Sequence, residues 1–306
     1  MPGSLTSKFA GAFLGLALGD AFGAPYEGGP LERLLWSFIG TKDGKRRFTD
    51  DTQMSIDLAE SLLEHSHVNE DDLARRFCES YRWDRGYGPG TVRVLRRIRR
   101  GVHWQAAAES VFNGGSYGNG GAMRAPIIGL YFAGSSEDEI AAAARAGAGV
   151  THAHRLAGEG AELIALTTVW ALQNRGSGDV LAALAQREIS PEMNSRVSAA
   201  TEFLTEKRKI TPRMISKALG NSTAATASCV TAIYLALEYR EDPFDLLLQA
   251  AIDLGGDVDT IAAMAGAIWG AYNGEEKLPE DKLAKLEQCD RIRGLASDLA
   301  MHTARG

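Results

Sequence analysis

Two short stretches of this sequence carry aspartates in pairs beside threonines: Phe48-Thr49-Asp50-Asp51-Thr52 and Leu254-Gly255-Gly256-Asp257-Val258-Asp259-Thr260. Each precedes an apolar pattern of helical period, Met54, Leu58 and Leu62 after the first and Ile261, Ala265 and Ile268 after the second, so each opens a helix. A carboxylate in a first helical turn is favoured by the helix dipole and by capping, which accounts for one aspartate at each start. It accounts less well for a second aspartate and the flanking hydroxyls. Residues at i and i+2 of a regular helix point about 200° apart, so Asp257 and Asp259 converge only if Asp257 precedes its helix as a cap. Gly255 and Gly256 permit that turn. Together Thr49, Asp50, Asp51, Asp257, Asp259 and Thr260 make an all-oxygen set suited to Mg²⁺, Mn²⁺ or Ca²⁺, and not to zinc or copper. Four carboxylates converging alone repel one another, and two divalent ions would cancel their formal charge.

A third stretch, Asn113-Gly-Gly-Ser-Tyr-Gly-Asn-Gly-Gly-Ala-Met-Arg124, is a glycine-rich loop entering the helix of Ile127, Ile128 and Tyr131. Small residues let backbone N–H groups approach an anion, and the helix start adds its dipole. The loop is neither a Walker loop, since no GK[ST] follows, nor a dinucleotide fingerprint, since no strand precedes it. A plain surface loop is the alternative on glycine content alone.

The elements that must position these segments are helices. Leu5, Phe9, Phe13, Leu16 and Asp20 recur at steps of three and four, as do Leu73, Phe77 and Tyr81, whereas strict two-residue alternation is nearly missing. Further Ala/Leu-rich stretches run at about 138 to 148, 156 to 173, 179 to 187, 196 to 208, 212 to 219, 224 to 240, 243 to 253 and 281 to 302, between breakers such as 86 to 90 and Asn273-Gly274. This is an all-α pattern. No long linker, repeat or low-complexity tract divides it, so residues 1–306 are expected to form a single domain.

The balance of 33 Lys+Arg against 39 Asp+Glu leaves a net charge of −6, which disfavours a nucleic-acid binder. Arg93, Arg96, Arg97, Arg99 and Arg100 surround Val92, Leu95 and Ile98 and form a solvated helix face. Cys78, Cys229 and Cys289 lie too far apart for a disulfide framework or zinc ribbon, which fits a reducing, cytoplasmic setting. The run FAGAFLGLALG after Lys8 stops at Asp20, too short for a membrane span, and is expected to be a core helix rather than an export signal.

The segments ALGDAFGAPYE, FTDDTQM and GSYGNGGAMR, with THAH at 151 to 154 and GGDVDTIAAMAGAIWGAY near the end, resemble the ADP-ribosylglycohydrolase family in order and spacing over about residues 5 to 274. The glycine loop especially resembles that family's serine-ADP-ribosylhydrolase branch. The resemblance implies an all-α orthogonal multi-helix bundle with a centre of two Mg²⁺ (or Mn²⁺) ions. The implied reaction is hydrolysis of the C1″ bond between ADP-ribose and a protein side chain or small acceptor.

By the same resemblance Thr49, Asp50, Asp51, Asp257, Asp259 and Thr260 are the metal ligands, and Glu27, in a loop after the first helix, is the catalytic carboxylate. Gly115, Ser116, Tyr117 and Gly118 match the loop that holds the diphosphate and distal groups, and His152 matches a ligand-contacting histidine. Asp20 reads as structural, and His154 as a packing or hydrogen-bonding residue. Val258 and Ile261 depart from residues frequent in the family without removing a ligand. The implied partners are ADP-ribose and ADP-ribosylated protein or small molecules, with nucleic acid entering only as a modified substrate, and the chain is expected to act as a monomer away from membranes. A catalytically silent ADP-ribose binder and a two-metal phosphoesterase are the competing readings. The linkage cleaved is left open, with a tilt toward an O-glycosidic one.

Overall fold

The computed structural model describes residues 4–206 and 210–304. Seventeen α-helices dominate them: α1 (Leu5–Gly23), α2 (Pro30–Ile39), α3 (Asp50–His65), α4 (Glu70–Ser80), α5 (Pro89–Arg99), α6 (Trp104–Glu109), α7 (Ala125–Tyr131), α8 (Glu137–Gly149) and α9 (Arg155–Leu172) make up the first half. The second half holds α10 (Ser177–Leu184), α11 (Pro191–Thr205), α12 (Pro212–Ala218), α13 (Cys229–Glu238), α14 (Phe244–Leu254), α15 (Val258–Asn273), α16 (Glu280–Leu283) and α17 (Cys289–Thr303). Among the described residues the strands are one small antiparallel hairpin, Thr41–Lys42 with Lys45–Arg46. No helix among them is long and apolar enough to cross a membrane.

Helices α1 and α15 form the centre and run antiparallel. Gly11, Gly15, Gly19 and Gly23 recur every fourth residue, which puts them on one face of α1. A Cβ on Gly15 would stand 2.3 Å from the Gly266 carbonyl, and one on Gly19 2.1 Å from that of Ala262. Close backbone contact therefore replaces side-chain interdigitation along this seam. Its last contact fixes the site: a Cβ on Gly23 would come within 2.8 Å of the Asp259 Cα. Helix α1 is buried on all sides from Lys8 to Ala21, broader than the single apolar face its period suggests. Lys8 is accommodated there by donating to the Leu172 carbonyl and Asn174 Oδ1, both at 2.8 Å.

Helix α9 packs against α7, α8, α13 and α15 and completes the core with Trp170, while Trp269 comes from α15. Two expected helices differ from the sequence pattern. The stretch at 224 to 240 opens on a single 3₁₀ turn, Ala225–Ala227, and becomes α-helical only at Cys229, because Ala225 donates its N–H to the Tyr117 carbonyl and Thr223 accepts from the Asn119 N–H, which ties this segment to the glycine loop. The stretch at 281 to 302 splits into α16 and α17. Between them Glu287 pairs with Arg85 and accepts from the Phe48 N–H, holding the segment that leads into α3. The expected stretch at 196 to 208 runs past α11 into residues outside those described.

Candidate metal and ligand site

The first helix start is held from outside its own segment. Asp20, on α1, accepts from the Thr49 N–H (2.9 Å), the Thr52 N–H (3.0 Å) and the Thr52 hydroxyl (2.5 Å). A carboxylate from another helix thus satisfies the orphan donors at the start of α3. Thr49 is the local cap: its Oγ1 accepts from the Asp51 N–H at 3.3 Å and donates to Asp51 Oδ2 at 3.0 Å. Asp50 and Asp51 are left in the first turn, pointing inward and buried.

The second helix start is shaped by glycine. Gly255 and Gly256 adopt φ of +66° and +80°, and a Cβ on Gly256 would lie 1.9 Å from the Asn221 carbonyl, so both the turn and the approach require glycine. Asp257 takes the position before α15, as convergence demands, but its carboxylate does not cap the helix. It accepts instead from Asn119 Nδ2 at 2.5 Å. Thr260 donates its hydroxyl to Asp51 Oδ2 at 3.3 Å, directly linking the two helix starts.

Carboxylate oxygens of Asp20, Asp51 and Asp259 all lie within 4.8 Å of one another, and so do those of Glu27, Asp257 and Asp259, so Asp259 belongs to both groups. Burial, then the neighbouring Asp20, Glu27 and Asp257 charges, push Asp50 well above the usual carboxylate range. Burial and the surrounding acidic groups do the same to Asp51 and Asp259, and burial raises Asp257. Asp20 is raised to about 6, with burial outweighing its hydrogen bonds.

The residues fit a hard cation on a specific count. Asp51 Oδ2 is shared by two hydroxyl donors, yet its Oδ1 is buried with no hydrogen-bond partner. A buried polar atom left so is costly, and an oxygen-seeking divalent ion is the partner this donor set suits.

These groups line a cavity of about 200 Å³ together with Ser116, Gly118 and His152. The structure therefore gathers Glu27, Asp50, Asp51, Asp257, Asp259 and Thr260 with three of the five loop and histidine candidates. Thr49 stands behind Asp51 rather than in the wall. Gly115 is not in the wall either; its φ of +92° and a would-be Cβ 2.7 Å from the Ala153 Cβ seat the loop against the segment after His152. Tyr117 lies outside it, 53% exposed, with its ring edge-on to His154 at 6.0 Å. His154 also accepts through Nδ1 from the Leu156 N–H, the local role expected of it.

Sequence reasoning passed over Asn119, which sits inside the glycine loop and holds Asp257. It also gave no role to the wall formed by Gly86, Gly88 to Thr91, Phe112 and Thr223. The arginine-rich face of α5 is exposed at Arg93, Arg96 and Arg97 and packs through Val94 and Leu95.

An all-α bundle with two acidic helix starts facing one cavity is the arrangement of a carboxylate-lined hydrolase centre. The profile of the ADP-ribosylglycohydrolase family matches residues 1–306, and the chain belongs to that family. It is 38% identical to ADP-ribosylhydrolase ARH3 of Bos taurus, in an alignment covering 96% of this chain and 92% of the relative. It is 37% identical to the Homo sapiens protein of that name, over 96% and 93% of the two chains. A solved structure described as an ADP-ribosylglycohydrolase-related protein complex superposes with a TM-score of 0.74 at 26% identity, covering 98% of this chain and 99% of that one.

Proposed function

We propose that this chain is an ADP-ribosylhydrolase that releases ADP-ribose from modified substrates by hydrolysing the C1″ glycosidic bond. The observation that carries the reading is the convergence of Glu27 and four aspartates on one small cavity beside a glycine loop, within a chain of this family. Thr49, Asp50, Asp51, Asp257, Asp259 and Thr260 would hold two Mg²⁺ or Mn²⁺ ions. Bound there, such ions would supply Lewis-acid stabilisation of the charge that develops during cleavage.

The chain's own residues do the rest. Departure of C1″ has oxocarbenium character, and the Glu27 carboxylate stands at the cavity to stabilise that charge and to move a proton to the leaving oxygen or from the attacking water. Ser116, Gly118 and the neighbouring loop N–H groups orient the diphosphate, with Gly115 setting the loop's path and Tyr117 at its rim for the distal groups. Asn119 keeps Asp257 aimed inward. Closely set carboxylates serve hydrolysis better than mere binding, since nothing about retaining ADP-ribose requires so repulsive a cluster. This disfavours the silent-binder reading, and family membership disfavours the phosphoesterase.

We read the chain as one domain, supported by the pairing of its first long helix with α15, and as a monomer in a reducing, cytoplasmic setting, the setting supported by three unpaired cysteines. The loop and Pro25-Tyr26-Glu27 favour an O-glycosidic substrate. A panel of serine-, arginine- and acetyl-linked ADP-ribose substrates with Mg²⁺, read by mass spectrometry, tests the assignment. Free ADP-ribose from the serine or acetyl substrate is expected; AMP, or no product from any substrate, would refute it.

A further inference from the structure

Arg124 closes the glycine loop and is 1% exposed. Its guanidinium lies over the Phe77 ring at 4.9 Å and donates to the carbonyls of Gly120 (2.6 Å) and Gly147 (2.9 Å) and to Thr151 Oγ1 (2.9 Å). Burying a cation on carbonyls and one hydroxyl is a costly way to fill space. What it touches is informative, because Thr151 Oγ1 is also 2.8 Å from His152 Nδ1.

Donor accounting settles the direction of that second bond. A guanidinium can only donate, so Arg124 uses one lone pair of the Thr151 oxygen. Among the described residues the hydroxyl meets two groups, the guanidinium and the His152 ring, and only the ring can take its proton. Nδ1 is then an acceptor. Burial, then the Arg124 charge, push His152 down to about 3, so the ring is neutral and its single proton belongs on the other nitrogen.

That nitrogen lies against two glycines that line the cavity with His152. A Cβ on Gly120 would lie 2.8 Å from His152 Nε2 and one on Gly118 3.4 Å, so both glycines make room for the ring. The cavity wall contains neither lysine nor arginine among the described residues. A diphosphate entering it must therefore be met by neutral donors.

We propose that Arg124 and Thr151 are positioning residues that lock His152 in the tautomer protonated at Nε2, presenting the cavity with a fixed, uncharged N–H donor for a diphosphate oxygen of the ligand. The tautomer follows from the protein alone; only the identity of the anion rests on the ADP-ribose reading. A fixed donor selects an acceptor-only oxygen, as phosphate provides, and needs no reorganisation when the ligand arrives.

The test uses the full chain, ¹⁵N-labelled, with long-range ¹H–¹⁵N correlation of its six histidines and assignment by His152→Gln. The expected spectrum shows His152 protonated at Nε2 before ligand is added and perturbed at that nitrogen on titration with ADP-ribose. Thr151→Val should admit the second tautomer and weaken ADP-ribose binding about tenfold, the range for a hydrogen bond to a charged group, and Thr151→Ser should restore both. A wild-type ring protonated at Nδ1 overturns the proposal with no variant needed. So does a Thr151→Val protein with unchanged tautomer and affinity. Failure of the wild type to bind ADP-ribose would instead overturn the functional reading, with the ring measurement still deciding the tautomer.

Discussion

The two aspartate-bearing helix starts look alike in sequence and are built differently. At α3 the backbone donors are satisfied by Thr49 and by Asp20 reaching over from α1, so Asp50 and Asp51 have no capping duty. At α15 the residue in the capping position, Asp257, turns its carboxylate away to Asn119, and the chain path is set by two left-handed glycines. One start frees both of its carboxylates by importing a cap; at the other Asp257 forgoes capping, and Asp259 Oδ1 accepts the Thr260 N–H at 2.8 Å. In both, aspartates that would ordinarily cap the helix line the cavity, Asp50 and Asp51 at one and Asp257 at the other, which is the mark of a site maintained against local stability.

The comparison is broken most severely at the second start. Asp259 belongs to both carboxylate groups, so Asp259→Asn should abolish divalent-ion binding by calorimetry and reduce turnover at least 10³-fold, with Asp257→Asn close behind, because a neutral amide forfeits charge where ligation depends on it. Asp57→Asn, further along α3, should leave metal affinity unchanged; Asp57 is buried on Ser80 and Gln53, away from the cavity wall. Retained metal affinity in both the Asp257 and Asp259 variants would return that segment to a glycine turn.

Glu27 lies between the two starts and sharpens the distinction between holding and reacting. Glu27→Gln preserves shape and removes the titrating group, so kcat should fall about 10²- to 10⁴-fold while affinity for ADP-ribose changes little. Because its carboxylate lies within 4.8 Å of Asp257 and Asp259, metal affinity is the deciding control. Loss of metal binding along with turnover would make Glu27 a ligand.

Much of this was legible in the sequence. Helical period yielded the all-α class, and the TDDT and GGDVDT motifs with the glycine loop assembled as one cavity because each is a local feature with a local signature. Asp20 was not legible as a cap for α3. It sits on an apolar face of α1, and its three donors come from residues 29 and 32 positions away, a relation that no window of sequence contains. Asn119 was in view within the loop but carries no mark distinguishing a positioning amide from a turn residue. The split of 281 to 302 escaped for a similar reason, since Glu287 is recruited by Arg85 and Phe48 across the chain.

A smaller effect is expected at the imported cap. Asp20→Asn keeps the shape but weakens three hydrogen bonds to a helix start, which should lower stability by about 1–2 kcal/mol in denaturant titration and reduce metal affinity modestly. No change in either would make Asp20 a bystander.

The smallest effect is a pH trend. Unfolded aspartates ionise near 3.8, whereas in the fold Asp20 is held to about 6, Asp57 to about 7, and the four cavity aspartates are raised as well. Above pH 4 the unfolded chain thus releases protons the folded chain retains, and stability of the chelated protein should fall as pH rises through 6 and 7. Melting temperatures in EDTA should be lower at pH 8 than at pH 5, and the increment on adding Mg²⁺ should be larger at pH 8. An EDTA-treated protein more stable at pH 8 would contradict the raised carboxylates.

The most direct test of the central claim is the turnover of EDTA-stripped protein on a serine-linked ADP-ribosyl peptide as Mg²⁺ is restored, with free ADP-ribose quantified by mass spectrometry. The all-oxygen carboxylate site predicts no release without divalent ion, recovery with Mg²⁺ or Mn²⁺, and none with Zn²⁺. Full release of ADP-ribose by a demonstrably metal-free preparation would contradict it.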